Sequence, residues 1–136
     1  MTICIGAEGP CRLRIDDADT CHGDHGLHNL AFEPTTLEVQ GVYDYADAAW
    51  ADRHLDLRYL IFAVPAEELY AAAVEVYELG AGVRIDRARV ALYNAVCCFS
   101  FLGTRPDDPD ARWCGRTLAE DLDWAKRALD RVEAWA

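Results

Sequence analysis

The chain has 136 residues, 24 of them acidic and 13 basic, for a net charge of −11 at pH 7. That length suits one domain, and hydrophobic residues at 52% with charged residues at 27% make a globular rather than a disordered composition. A surface this acidic repels phosphate backbones and anionic lipid, which argues against nucleic acid or a membrane as partner.

The start, MTICIGAEGPCRLR, lacks the basic opening and apolar core of a signal peptide. No stretch has the uninterrupted apolar length of a membrane span. The expectation is a cytoplasmic protein whose six cysteines are thiols. Arg12 to Ile15 alternates as a short strand, and Asp16, Asp17 and Asp19 follow as a polar turn. Leu30 to Phe32 is a second strand. Glu33-Pro34-Thr35-Thr36 turns the chain, and Leu37 to Tyr43 alternates again, which predicts a hairpin.

From Asp52 onward the pattern is helical. Asp52 is placed to cap a helix over Arg53 to Ala63, with His54 on its surface. Pro65 opens a second helix that stops at Gly80. Asp86 caps a third, running to about Leu102 with Gly103 as its stop. Its sequence is apolar nearly all round, which predicts a central, buried helix. Thr117 and Glu120 form a capping-box pattern for the last helix. Leu118, Leu122, Ala125, Leu129 and Val132 form its apolar stripe. Asp107 to Gly115 reads equally as loop or helical turn, and Trp113, Trp124 and Trp135 read as packing residues.

The chemistry concentrates between His22 and Asp56. His22-Gly23-Asp24 precedes the first hairpin strand, Asn29 stands at its entrance, and Asp44-Tyr45 follows the second strand. A hairpin brings its two ends side by side, so Asn29 and Asp44 meet, with Asp24 on the loop beside them. Amide and carboxylate oxygens suit Mg²⁺. A further carboxylate nearby can orient a hydroxyl and accept its proton, which is the minimal equipment for phosphoryl transfer. A rival reading is a zinc site built from Cys21, His22, His25 and His28 with Cys4 or Cys11, but the paired Cys-x-x-Cys spacing is missing.

The run HGDHGLHN followed by VYDYADAAWADRHLDL resembles the catalytic and metal-binding segments of aminoglycoside phosphotransferases and their kinase-like relatives. The resemblance is tight from Cys21 to Leu60 and looser to the C-terminus. It implies Asp24 as catalytic base, Asn29 and Asp44 as magnesium ligands, and Asp56 as a brace for the catalytic loop. His22 and Gly23 match structural residues of that loop. Where family members often carry His two residues after the catalytic Asp, this chain has Gly26. The implied cofactors are Mg²⁺ and ATP or GTP. The implied acceptor is a small-molecule hydroxyl compound, aminoglycoside-like or an amino-alcohol and so cationic.

The resemblance also implies an α+β, mostly helical, protein-kinase-like C-lobe without its N-lobe. Residues 1–20 would be an extension, 21–52 the catalytic loop and metal-binding hairpin, and 53–136 a helical subdomain of about four helices. Only 21 residues precede His22, no glycine-rich phosphate loop is among them, and the one lysine, Lys126, lies in the last helix. A homodimer or another chain supplying the N-lobe is the expected partner, because the hairpin floor around Leu30, Phe32, Val39 and Val42 would otherwise stay uncovered. The alternative is a non-catalytic remnant or binding module that keeps the fold.

Overall fold

A computed structural model describes residues 18–62, 66–108 and 110–135. The predicted strand over Arg12 to Ile15 and the helix-opening Pro65 lie outside those residues. The described chain is α+β. Four short strands come first: β1 (Ala18–Cys21), β2 (Leu30–Phe32), β3 (Val39–Val42) and β4 (Ala49–Asp52). Four helices follow: α1 (His54–Leu57), α2 (Ala66–Ala81), α3 (Arg87–Gly103) and α4 (Leu118–Trp135). Single 3-10 turns occupy Leu27–Asn29 and Leu60–Phe62.

The predicted hairpin is present. β2 and β3 pair antiparallel, with Leu30 opposite Val42, Ala31 opposite Gly41 and an irregularity before Phe32. The sequence reading missed a second antiparallel pair, β1 with β4, which sets Ala18 opposite Asp52 and Cys21 opposite Ala49. This pair brings the start of the loop at His22 against the start of the helical region. Cys21 is buried at its end and its thiol donates to the Asp52 carbonyl at 3.3 Å. Burial pushes that thiol up to about 11, so it stays protonated. The four described cysteines, Cys21, Cys97, Cys98 and Cys114, are free.

The helix expected over Arg53 to Ala63 is broken into α1 and a 3-10 turn. The last turn of α1 tightens, with Arg58 N–H reaching the Leu55 carbonyl at 3.4 Å, and side chains take up its carbonyls as well: Arg58 Nη1 donates to the Leu55 carbonyl at 2.6 Å, and Asn94 Nδ2 donates to the Arg58 carbonyl at 2.9 Å. α2 continues past the expected stop at Gly80 and ends where Gly82 takes φ +66, its N–H reaching the Glu78 carbonyl. Asp86 caps α3 as expected, accepting from Arg89 N at 3.1 Å. The Thr117–Glu120 capping box also forms, with Thr117 N to Glu120 Oε2 at 2.7 Å and Glu120 N to Thr117 Oγ1 at 3.3 Å.

Three packing expectations are corrected. α3 is not buried all round: Val90, Ala91, Asn94, Ala95 and Cys98 face inward, while Val96 and Phe99 are exposed. On α4 the inward residues are Asp121, Ala125 and Ala128, and Leu122 and Leu129 stand exposed. Small residues at the seam let α4 lie close to α3, where Ala95, Cys98, Ala125 and Ala128 form one core cluster. Asp121 takes an inward position because Arg105 and Arg116 neutralise it there. The other cluster joins Leu57, Leu60 and Ile61 to Tyr70, Val74, Ile85 and Val90, with Trp135 stacked on Tyr70. Asp107 to Gly115 forms no regular element among its described residues beyond an isolated bridge of Trp113 with Arg116.

The third correction is His54, which is buried rather than on a helix surface. Asp86 N–H donates to its Nε2 at 3.0 Å, so Nδ1 carries the proton and donates to Asp52 Oδ1 at 2.5 Å. The other Asp52 oxygen accepts from Arg89 Nε at 2.6 Å and Tyr93 OH at 2.8 Å. Asp52 therefore does more than cap α1, to which it gives one bond at His54 N. It ties β4 and α1 to the start of α3. Burial pushes its carboxyl up, but the bonds from His54 and Tyr93 outweigh that and hold it below the usual range.

This network predicts both a mutational and a pH effect. Asp52→Ala strands four buried or half-buried donors, His54 N and Nδ1, Arg89 Nε and Tyr93 OH, and should lower the unfolding free energy by about 3 kcal/mol in urea titrations. Because the folded carboxyl is the more acidic, its contribution is complete above roughly pH 4 and is lost as pH falls through and below that range. The acid limb of a stability-versus-pH curve should accordingly flatten in Asp52→Ala.

Candidate active site

The loop that follows β1 is held from below by one carboxylate. Asp56, in α1, accepts from His22 N at 2.7 Å with Oδ2 and from Gly23 N at 2.8 Å with Oδ1. Two successive amides converging on one carboxylate are charge-assisted bonds, each stronger than a neutral pair. Arg58, one turn-end later, donates from Nη2 to the Gly23 carbonyl at 2.5 Å. The N–H and the C=O of Gly23 are thus both tied to the α1 segment. Gly23 itself has φ +84, and a Cβ there would collide with the Asp47 carbonyl. Only glycine fits.

His22 links this loop to the hairpin. The N–H of Asp24 donates to its Nδ1 at 3.3 Å, so Nε2 carries the proton and donates to the Tyr43 carbonyl at 2.9 Å. The ring packs against Tyr45, centroids 4.7 Å apart. Tyr43 is pinned further: its N–H reaches the Asn29 carbonyl at 3.1 Å, and its hydroxyl donates to the His28 carbonyl. The residue before Asp44 is therefore fixed to both His22 and Asn29.

Asn29 is buried, and its amide nitrogen donates to the Asp24 carbonyl at 2.9 Å and to Asp24 Oδ2 at 3.0 Å. Spending both N–H groups on Asp24 leaves the amide oxygen as the atom offered to a cation; among the described residues no hydrogen bond reaches it. Asp44 stands exposed just past β3 at φ +62. Asp tolerates that left-handed backbone better than most residues, at a cost near 1 kcal/mol. Among the described residues its carboxylate has no hydrogen bond or ion pair. An amide oxygen and an unpartnered carboxylate, tied together through Tyr43, fit a hard cation such as Mg²⁺.

Asp24 also accepts from His28, whose Nε2 lies 3.3 Å from Oδ2, and it hydrogen-bonds Tyr59. Burial raises its carboxyl, but the bonds from His28 and Asn29 outweigh burial and hold it below the ordinary carboxylate value. It is an anion at neutral pH. The structure thus brings Asp24 and Asn29 into contact, places Asp44 at the same end of the hairpin, and sets Asp56 beneath His22 and Gly23. Sequence reasoning did not single out Arg58 or Tyr59, whose spacing from the Asp-Leu pair carries no signal of its own. No group of three or more His, Cys, Asp or Glu side chains among the described residues is placed to hold a metal, so the zinc reading gains no support; Cys4 and Cys11 lie outside those residues.

A match to the phosphotransferase enzyme family covers residues 17–93, which spans β1 to mid-α3 and every residue of this site. The streptomycin 3''-kinase of Streptomyces griseus is 47% identical over 45 residues, covering 33% of this chain and 16% of that protein. The aminoglycoside 3'-phosphotransferase of Streptomyces fradiae is 32% identical over 92 residues, covering 61% of this chain and 32% of that protein. The chain therefore spans about a third or less of the length of these curated relatives. No solved structure matches it significantly. With more than half of its residues inside the family match, the chain belongs to the aminoglycoside phosphotransferase family of phosphotransferase enzymes.

Proposed function

We propose that this chain carries the catalytic loop and metal-binding hairpin of an ATP- or GTP-dependent phosphotransferase acting on a small-molecule hydroxyl. The observation that supports this most is the Asn29 amide, turned by Asp24 so that its oxygen is left beside the Asp44 end of the hairpin. Asn29 Oδ1 and the Asp44 carboxylate would hold Mg²⁺. The ion, when bound, supplies charge neutralisation to the nucleotide's phosphates.

The chain's own groups do the rest. Asp24 accepts a hydrogen bond from the acceptor hydroxyl and directs its oxygen toward the phosphoryl group. A carboxylate more acidic than usual is a weak base at neutral pH, so it takes the proton late, as the new O–P bond forms. Asn29 and His28 keep its oxygens oriented. Asp56, Arg58 and His22 act on Asp24 only through the loop backbone and are positioning residues. The relatives' names make amino-sugars the first acceptors to test.

The second reading, a binding module without catalysis, draws on one observation. The sequence's single lysine, Lys126, lies exposed on α4 beside Asp130, 3.4 Å away. The ammonium that clamps nucleotide phosphates in kinase-like enzymes has no counterpart in these residues. The hairpin face with Phe32, Val39 and Val42 exposed is where a partner completing the nucleotide cleft would sit, either a second copy or a segment supplying the N-lobe.

Two outcomes follow. Calorimetry of the 136-residue chain with Mg·ATP should give a Kd weaker than micromolar, and micromolar binding would show that the chain needs no outside cation. With the nucleotide-binding half of a phosphotransferase supplied by fusion, Asp44→Ala should abolish Mg²⁺-dependent nucleotide binding. Asp24→Ala should keep most of that binding, because the Asn29 amide retains its bond to the residue-24 carbonyl, and should lower kcat about 10²- to 10⁴-fold. Full turnover in Asp24→Ala would remove Asp24 from the role of base, and no transfer to any hydroxyl by the unsubstituted fusion would favour the binding module.

A further inference from the structure

Gly23 and Gly26 stand on either side of Asp24 in the loop, and a side chain on either would collide, but with different things. At Gly23 the obstacle is the Asp47 backbone, and φ is +84. At Gly26 it is a side chain: a methyl group there would overlap the His28 ring at Cε1 and Nδ1. Gly26 has φ −121 and ψ 166, extended backbone that any residue adopts, so no conformational demand calls for glycine. The space over its Cα is taken by an imidazole instead, and Nε2 of that ring lies 3.3 Å from Asp24 Oδ2. We infer that Gly26 and Tyr59 form a slot that seats the His28 imidazole against Asp24, and that His28 is thereby a positioning residue for the base. The seating rests on side-chain geometry alone; its effect on turnover rests on the phosphotransferase reading.

The contact needs such a slot. The His28 and Asp24 side chains are 60% and 29% exposed, and a pair in that setting holds two side chains only weakly. Three further contacts confine the ring. Gly26 lies against it, where any Cβ would intrude. Tyr59 meets it edge-on with ring centroids 6.1 Å apart, and Tyr59 is itself steadied by the Arg58 guanidinium, 4.2 Å from its ring centroid. The His28 backbone is tied to the hairpin, because the Tyr43 hydroxyl donates to its carbonyl. The turn between is tight: Asn29 N–H closes on the Gly26 carbonyl at 3.0 Å, which keeps residue 28 close to residue 26.

Asp24 in turn needs the second donor. Asn29 Nδ2 reaches Asp24 Oδ2 at 3.0 Å and the Asp24 carbonyl at 2.9 Å. A carboxylate held at one oxygen by one donor still turns about its Cβ–Cγ bond, a torsion with broad preferences. His28 brings a second donor to the same oxygen, and Tyr59 bonds the same carboxylate. An ionised carboxylate only accepts, so the His28 nitrogen facing it carries a proton. With Oδ2 taken by two donors the carboxylate plane is set, and its remaining acceptor capacity meets the acceptor hydroxyl in one orientation. Misdirecting a base costs rate at the reacting atoms and leaves nucleotide binding alone.

The test pairs NMR of the 136-residue chain with kinetics of the phosphotransferase fusion. In the unsubstituted chain the His28 ring protons should give NOEs to Gly26 Hα and to the Tyr59 ring. In Gly26→Ala the Tyr59 NOEs should vanish while the amide spectrum of the helices is kept, because only a ring has to move. In the fusion, Gly26→Ala and His28→Ala should each lower kcat about tenfold with KM for Mg·ATP unchanged, and the double variant should lose no more than either alone. His28→Gln, whose amide returns a donor at similar reach, should recover most of that loss, as a mere packing role would not. Absence of the NOEs in the unsubstituted chain, retention of the Tyr59 NOEs in Gly26→Ala, additive losses in the double variant, or full kcat in His28→Ala would each overturn the inference. The expected NOEs beside an unsubstituted fusion that transfers to no hydroxyl would uphold the seating and count against the phosphotransferase reading instead.

Discussion

Asp56 accepting the adjacent amides of His22 and Gly23 is the constraint from which the site follows. A loop leaving a strand has many conformations, and ordering each residue costs roughly 1–2 kcal/mol. Two bonds to one carboxylate, each contributing about 1.5–3 kcal/mol, offset that cost for the residues that matter. Arg58 fixes the next carbonyl, and the positive φ of Gly23 lets the chain reverse over Asp47 without collision. Once His22 is set, its two ring nitrogens can reach Asp24 N and the Tyr43 carbonyl together. The loop and the hairpin end are then one unit, and Asp24, Asn29 and Asp44 belong to it.

The helices serve that unit from behind. The Asp52–His54–Asp86 network joins β4, α1 and α3, so the element carrying Asp56 cannot move independently of the core. Asn94, fully buried in α3, holds the Arg58 carbonyl and so extends the same support to Gly23. The opposite side of the site is open, with the apolar residues of the hairpin exposed and Asp44 in solvent. Rigid support on one face and an unfilled face on the other is the arrangement a site needs if a nucleotide is to be enclosed from a second direction. On the helical side, α3 and α4 wall a pocket next to Asp24.

The order of His22, Gly23, Asp24, Asn29, Asp44 and Asp56 was legible through the family resemblance, because a loop, a hairpin and the helix that braces them impose fixed spacings on a continuous segment. The capping residues Asp86 and Thr117 were legible for the same reason: their partners lie three residues away. What escaped was set by partners distant in sequence. β1 pairs with a strand some thirty residues later, and nothing in either tetrapeptide announces the other. His54 looks like a surface residue until Asp52 and the Asp86 amide are brought around it. Leu122 and Leu129 follow helical spacing, yet the buried face of α4 passes through Asp121, because two arginines from the preceding loop make that carboxylate the better-satisfied interior residue. Periodicity counts apolar residues and is blind to an ion pair arriving from elsewhere.

The central claim is that one carboxylate organises the loop, and amide hydrogen exchange tests it residue by residue. In the unsubstituted chain the His22 and Gly23 amides should be protected, since each is bonded to Asp56 and the region is braced by α3. In Asp56→Ala those two amides and that of Asp24 should exchange far faster, while amides in the middle of α3 and α4 keep their protection. Unchanged protection at His22 and Gly23 in Asp56→Ala, with the helices still intact, would contradict the account.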